Sequence, residues 1–417
     1  MNPFVESAMA IAHRLAEEAL PAPSGVRWQG ATVTGTEENP RIEHGDTGVD
    51  LYSGAAGIGL FLGHASRYDE TGRLARLSRE AITHALSQAR ALAETGRLGL
   101  YDGVTGVAVA ALSVGLRLSD AELVTASAEL ARAVAREPAD VAGELGPDLI
   151  GGVAGIVLGL LHIYRHTGCP ELLTAAVAAA RELAACASAE PWGSSWGLWD
   201  SGEGGPNLTG LAHGTAGVAL ALQEAGTLAD DLPLLETAVA AMRYERGWYA
   251  VAHRNWPDLR RSATRDGHRP AYPIFWCHGA VGIGLARLRA YQLTGDTLAL
   301  AEASAAIQAT RDLTVRVGTA LRREEPADMS LCHGLAGAAE LFLTAARVLN
   351  NGDHLRAARN VGHIMLGHRD LADGWPCGIA GAGEVPDLLL GLAGIGLTML
   401  RLHEPDATMS ASPTGWS

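Results

Sequence analysis

The chain has 417 residues, 48% hydrophobic and 19% charged, which is enough apolar material for a sizeable core. A formal net charge of −14 with no basic block excludes the cationic footprint that nucleic-acid binding needs. Aromatics are only 5% while Ala and Leu abound, a balance that favours helix over strand.

The first twenty residues carry no positive segment followed by an apolar run, so no signal peptide is expected. Apolar runs stop short of the roughly 18 residues of a membrane span. Residues 107–116, for example, end at Arg117. These features predict a cytoplasmic protein with no membrane span. The five cysteines (Cys169, Cys186, Cys277, Cys332, Cys377) are an odd number in such a compartment. They leave metal ligation, catalysis or burial as readings, rather than a disulfide framework.

In chain order, residues 1–47 read as an N-terminal helix and leading segment. Seven copies of Gly-x-x-Gly follow, with first glycines Gly54, Gly103, Gly152, Gly214, Gly279, Gly334 and Gly391. Each opens an apolar stretch with few charges, such as 58–63, 107–116 or 156–164, which reads as a buried helix. More polar stretches such as 74–92 and 121–136 lie between copies and read as amphipathic outer helices. Apolar helices need a shared interior that no single repeat supplies. The expected fold is therefore all-α, an α/α toroid of seven helical-hairpin repeats forming one domain over 1–417. An open solenoid is the alternative, distinguished by whether the first and last repeats touch. The longest intervals, before Gly214 and Gly279, hold Trp192, Trp196, Trp199, Trp248 and Trp256 and read as loops elaborating one end of the ring.

If all copies occupy the same place in their repeats, the seven loops gather at one mouth. The residue just before each first glycine is Ser53, Asp102, Gly151, His213, His278, His333 or Leu390. One step earlier stand Tyr52, Tyr101, Ile150, Ala212, Cys277, Cys332 and Leu389. Two cysteines and three histidines thus share equivalent positions in three successive repeats. Cys277, Cys332 and His333 form a donor set that suits Zn²⁺ and leaves a fourth position open. His278 is an alternative ligand or a mouth-lining residue. Two thiolates neutralise the ion's charge, and an electron-rich zinc suits holding a substrate thiolate, so thiol addition or alkylation is the expected chemistry. His213 is a candidate general acid/base, and Asp148, four residues before Gly152, is a candidate to orient it. Each also has a plainer reading, as a helix-capping histidine and an N-cap aspartate. Cys169 and Cys186 read as packing residues, and Cys377 lies in a loop with no assigned role.

At these residues the sequence resembles the LanC-like family of lanthipeptide cyclases. The matching segments are Trp276-Cys277-His278-Gly279, Ser330-Leu331-Cys332-His333-Gly334, Ala212-His213-Gly214 and Asp148-Leu149-Ile150-Gly151-Gly152. Tyr244-Glu245-Arg246 and the segment Asn255-Trp256-Pro257-Asp258-Leu259-Arg260 look like the cyclase half of class II lanthipeptide synthetases. The resemblance runs from about Gly48 onward. It implies a zinc ion on Cys277, Cys332 and His333, and a dehydrated precursor peptide as substrate. A peptide cysteine would add to dehydroalanine or dehydrobutyrine to give a (methyl)lanthionine, with His213 moving the proton and Asp148 in support. No dehydratase-like portion is present, so a separate dehydratase is an expected partner. Many family members carry an arginine four residues before the first zinc cysteine. Here that residue is Pro273, and neither Arg260 nor Arg269 matches the position. Two other readings remain: addition of glutathione or another small thiol, and a non-catalytic scaffold. Glycoside processing would need paired carboxylates, for which only Asp50, Asp148 and Asp387 share a phase, and it would leave the cysteines unexplained.

Overall fold

The computed structural model describes residues 2–36, 39–137, 145–197, 205–260, 270–321, 323, 325, 327–372 and 374–416. Trp199 and Arg269 lie outside the described residues.

Helix α1 (Pro3–Glu17) opens the chain. Six hairpins follow: α2 (Ala55–Ala65) with α3 (Arg73–Glu94), α4 (Val104–Leu118) with α5 (Ala121–Ala135), and α6 (Val153–Thr167) with α7 (Pro170–Ala185). The remaining pairs are α8 (Thr215–Ala229) with α9 (Leu232–Gly247), α10 (Ala280–Thr294) with α11 (Thr297–Leu321), and α12 (Leu335–Val348) with α13 (Gly352–Ala372). Last comes α14 (Leu392–His403).

Every residue of α2 is buried, as is α4 from Val104 to Gly115, because these helices are apolar on all sides. α3 instead buries Leu74, Leu77, Ser78, Ala81, Ile82, Ala85, Ala89 and Leu92, a single stripe at helical spacing, and leaves the rest partly or fully exposed. The inner helices contact one another in the order α2, α4, α6, α8, α10, α12, α14, and α14 packs back on α2. The first and last repeats touch, so the fold is a closed α/α toroid and not an open solenoid.

The seventh outer helix comes from the other end of the chain. α1 packs against α14 and completes the last hairpin. The sequence gives 1–47 as an N-terminal helix and leading segment, and the helix within it is this seventh outer one. α1 buries Phe4, Val5, Ala8, Met9, Ile11, Ala12, Leu15 and Ala16 along one face. It starts at Asn2, whose side chain accepts from Phe4 N at 2.9 Å, with Pro3 in the first turn where its missing N–H does no harm. The Trp28 indole N–H donates to the Leu15 carbonyl at 2.7 Å and fixes the chain as it leaves the helix.

Among the described residues, three antiparallel two-stranded hairpins decorate the helical body: β1 (Leu20–Ala22) with β2 (Gly25–Arg27), β3 (Gln29–Thr36) with β4 (Asn39–Asp46), and β5 (Ser188–Glu190) with β6 (Gly193–Ser195). The last of these and the bridges Ala250–Asn255 and Asp258–Ala271 occupy the two long tryptophan-bearing intervals.

The seven loops meet in a ring of backbone hydrogen bonds. Tyr52 N donates to Tyr101 O, Tyr101 N to Ile150 O, Leu149 N to Ala212 O, and Ala212 N to Cys277 O. Cys277 N then donates to Cys332 O, Cys332 N to Leu389 O, and Leu389 N to Tyr52 O, all at 2.7–3.2 Å. The second glycine of each motif makes this possible. A Cβ at Gly57, Gly106, Gly155, Gly217, Gly282, Gly337 or Gly394 would lie 1.8–2.5 Å from a carbonyl oxygen of its own loop. Only a residue without a side chain lets the helix start under the loop.

Candidate metal centre and its surroundings

The ring of loop hydrogen bonds joins Cys277 and Cys332 directly, because they hold the same loop position in adjacent repeats. His333 is the next residue in the chain. One ligand atom from each of Cys277, Cys332 and His333 falls within 4.8 Å of the others, with both cysteines buried and the histidine half-buried. For a tetrahedral zinc with sulfur at about 2.3 Å and nitrogen at about 2.0 Å, ligand atoms should stand roughly 3.5–3.8 Å apart. With its ligand atoms within 4.8 Å of one another, the cluster needs only small side-chain shifts to reach that spacing, and its donors are the ones zinc prefers.

The imidazole is held from its far side. His333 Nε2 lies 2.9 Å from the Gly378 carbonyl and 3.2 Å from Asp328 Oδ2, which leaves Nδ1 for the sulfurs. Such an outer partner fixes the ring's orientation and tautomer, as second ligand shells do around zinc histidines. Asp328 is itself anchored, accepting from Ser330 N at 2.7 Å. Gly378 leaves room for the ring, since a Cβ there would come within 2.8 Å of Nε2.

The hydrogen bond between the two sulfurs holds the Cys332 thiol well below its ordinary range, with His333 and Tyr52 adding to it against burial. The same bond, then burial, pushes the Cys277 thiol well up. Burial alone would lower the His333 pKa, but the Cys332 sulfur outweighs it and carries the value up to about 9. Proximity thus favours charge on the Cys332 sulfur beside a protonated His333. A metal ion that bound there would displace their protons.

Across the mouth, Asp148 Oδ2 lies 2.5 Å from His213 Nδ1. Asp148 Oδ1 accepts from Gly151 N at 3.0 Å and Gly152 N at 2.7 Å. Asp148 is not the N-cap, which is Gly152: one oxygen staples its own loop and the other faces His213. His213 is partly exposed and its Nε2 is left for exchange. Its ring stacks on His278 at 6.1 Å between centroids.

His278 is buried and stands apart from the metal cluster. Neither ring nitrogen makes a well-formed hydrogen bond. Burial, then the charge of Arg260, lowers its pKa to about 4, so the ring is neutral near pH 7. Arg260 pairs with buried Asp258 at 2.7 Å, and its charge also reaches Cys277. Pro273 faces away from this role: its carbonyl accepts from Asn255 Nδ2 at 2.8 Å and lies against Gly279. Gly279 adopts φ +82°, where a Cβ would stand 1.8 Å from that carbonyl. A cavity of about 660 Å³ is lined by Asp328, Trp375, Pro376, Cys377, Ile379 and Glu384 among others.

A family model described as "Lanthionine synthetase C-like protein" matches residues 45–413. The chain belongs to that family. Among solved structures, a nisin cyclase is similar with a TM-score of 0.63 at 19% identity, covering 88% of this chain and 92% of that one. At that identity the likeness speaks for the shared fold. A sugar epimerase from a ruminal bacterium (TM-score 0.45, 11% identity, 96% and 98% covered) is a looser match. So is an unsaturated glucuronyl hydrolase specific for heparin (TM-score 0.45, 13% identity, 96% of each chain). Neither carries an argument about function.

In this LanC-like chain the residues singled out from sequence fall in two groups. Cys277, Cys332 and His333 come together, and so do His213 and Asp148. Cys377 is half-buried and lines the cavity, with its thiol pushed up by burial to about 12. Cys169 is buried as expected, but Cys186 is exposed at the end of α7 and is not a packing residue. Asp50 repeats the staple of Asp148, accepting from Ser53 N at 2.8 Å and Gly54 N at 3.2 Å, which accounts for the phase these two share. Tyr52, Asp328 and the Asp258–Arg260 pair were not singled out for the site. Tyr52 left a signal in sharing the loop position of the two cysteines, and Asp258 and Arg260 in the segment that resembles class II synthetases.

No helix among the described residues is long and apolar enough to cross a membrane.

Proposed function

We propose that this LanC-like protein is a zinc-dependent peptide cyclase. It adds cysteine thiols to dehydroalanine or dehydrobutyrine within a ribosomally made, dehydrated precursor peptide. The observation that carries this reading is the joint presence, at one mouth, of the Cys277–Cys332–His333 cluster and the His213–Asp148 pair.

Zinc held by Cys277, Cys332 and His333 would keep a substrate thiol as thiolate near neutral pH. The new S–Cβ bond forms as the Cα=Cβ π bond breaks, and the electron pair moves onto Cα and its carbonyl. His213, held in one orientation by Asp148, returns a proton to Cα through Nε2. The cavity lined by Asp328 and Cys377 supports a peptide over a small thiol, because Trp375 and Ile379 give it an apolar wall. Dehydration of the precursor falls to a separate dehydratase, and the cytoplasm is where such a precursor would be met. The chain 1–417 acts as one domain in this reading.

The test is elemental analysis of the wild-type protein and Cys332→Ala, followed by incubation with a dehydrated cysteine-containing peptide. About one zinc per chain, lost in the variant, together with loss of free peptide thiols without change of mass, is the expected result. Folded wild-type protein without zinc would end the reading.

A further inference from the structure

A cyclase of this kind, if the reading above holds, carries a hazard. Its own ligands Cys277 and Cys332 are thiolates facing an electrophilic alkene. A ligand sulfur that added to the dehydroamino acid would destroy the site. The structure supplies a donor at one of these sulfurs: the Tyr52 hydroxyl lies 3.3 Å from Cys332 Sγ.

The loop ring determines why Tyr52 reaches that far. It stands in the first repeat at the loop position that Cys277 and Cys332 hold in the fifth and sixth. Cys332 N is bonded to Leu389 O at 2.9 Å, and Leu389 N to Tyr52 O at 3.0 Å, so the tyrosine backbone is locked two links from the cysteine. The seventh repeat between them presents Leu389, which has no donor. The half-buried phenol spans it.

A hydrogen bond to a charged acceptor is stronger than one between neutral groups. Alkylation converts a thiolate into a thioether, which accepts only weakly. The bond from Tyr52 is therefore largely lost as Cys332 reacts, and its loss raises the barrier.

We infer that Tyr52 is a positioning residue that protects the metal ligand: its hydroxyl donates to Cys332 Sγ and makes that sulfur a poorer nucleophile than the substrate thiolate. Selectivity between ligand and substrate then lies in which sulfur is hydrogen-bonded.

The test uses zinc-loaded wild type, Tyr52→Phe, Tyr52→Leu and Tyr101→Phe. Each is treated with N-ethylmaleimide while zinc release is followed with a chromogenic chelator and the Cys332 adduct by mass spectrometry. Alkylation of Cys332 should be about tenfold faster in both Tyr52 variants, the effect of part of a charge-assisted hydrogen bond. Tyr101→Phe should behave as wild type, because that hydroxyl donates to the Ala411 carbonyl and not to sulfur. In the cobalt-substituted protein, the sulfur-to-metal charge-transfer band should move to lower energy on losing the Tyr52 donor.

Unchanged alkylation in folded, zinc-loaded Tyr52 variants would overturn the inference and leave the cyclase reading intact. Equal acceleration in Tyr101→Phe would assign the effect to loosened packing and overturn it too. Wild-type protein that binds no zinc would remove both. The two Tyr52 variants together keep the test independent of one variant's folding.

Discussion

Asp148 divides its oxygens between two tasks, one pinning its own loop and the other holding His213. An asparagine there could still accept from the loop amides, but it would present an N–H₂ where the imidazole needs an acceptor. Asp148→Asn and His213→Asn are both expected to keep their zinc and to lose about 10²–10⁴-fold in cyclisation rate, measured with a dehydrated peptide. Loss of zinc in either would move the defect to the metal cluster. Asp387 offers a different measurement. Burial, then the charge of Asp50, raises its carboxyl from 3.8 to about 8. Between those values the folded chain holds a proton that the unfolded chain has released, so stability falls as pH rises through the window. The slope from this group is at most about 1.4 kcal/mol per pH unit. Urea unfolding of Asp387→Asn across pH 5–9 should show a flatter profile than wild type and a gain at the alkaline end. Identical profiles would show that the carboxyl titrates normally.

At the scale of the element, the repeat works because each inner helix begins directly beneath its own loop. A methyl group at Gly106 would stand 1.9 Å from the Leu100 carbonyl, and one at Gly282 would stand 2.1 Å from the Trp276 carbonyl. Both must push the loop away, at a cost of about 1–3 kcal/mol by analogy with overpacked cores. The consequences should differ by position. Gly106→Ala lowers thermal stability alone, whereas Gly282→Ala also displaces the residue before Cys277 and lowers zinc occupancy. Equal zinc content in the two variants would mean that the loop absorbs the shift before it reaches the cysteine. The seven-fold glycine pattern was legible in the sequence, but its reason was not. Neither was its partner: Leu51, Leu100, Leu149 and Leu211 each pack a Cβ against the second glycine of the next repeat, as do Trp276 and Leu388. A leucine stands three residues before six of the seven first glycines, with Trp276 in the other, and that recurrence was there to be read.

For the whole molecule, closure depends on two contacts between the ends of the sequence. α14 meets α2 on the inside, and α1 covers α14 on the outside. Leu15 of α1 is fully buried at this seam. Leu15→Ala should cost about 2–5 kcal/mol in urea unfolding, and it should do so in one cooperative transition, because a ring has no free end repeat to fray. Separate loss of a minor transition would show that α1 docks on a ring already stable without it.

The order of residues along the chain determined the helical class, the count of repeats, and the coincidence of Cys277, Cys332, His333 and His213 in loop phase. It could do so because these follow from local periodicity and from a motif repeated in register, both of which are written in consecutive residues. It also held the separate features of Asp148, but not its bond to His213, which lies 65 residues away in sequence. Closure of the ring, recruitment of α1 as the seventh outer helix, and the approach of Tyr52 to Cys332 across 280 residues were decided by tertiary structure alone. Those contacts arise from burying the ends of the chain against each other, and no local pattern records which distant surface an apolar face will meet.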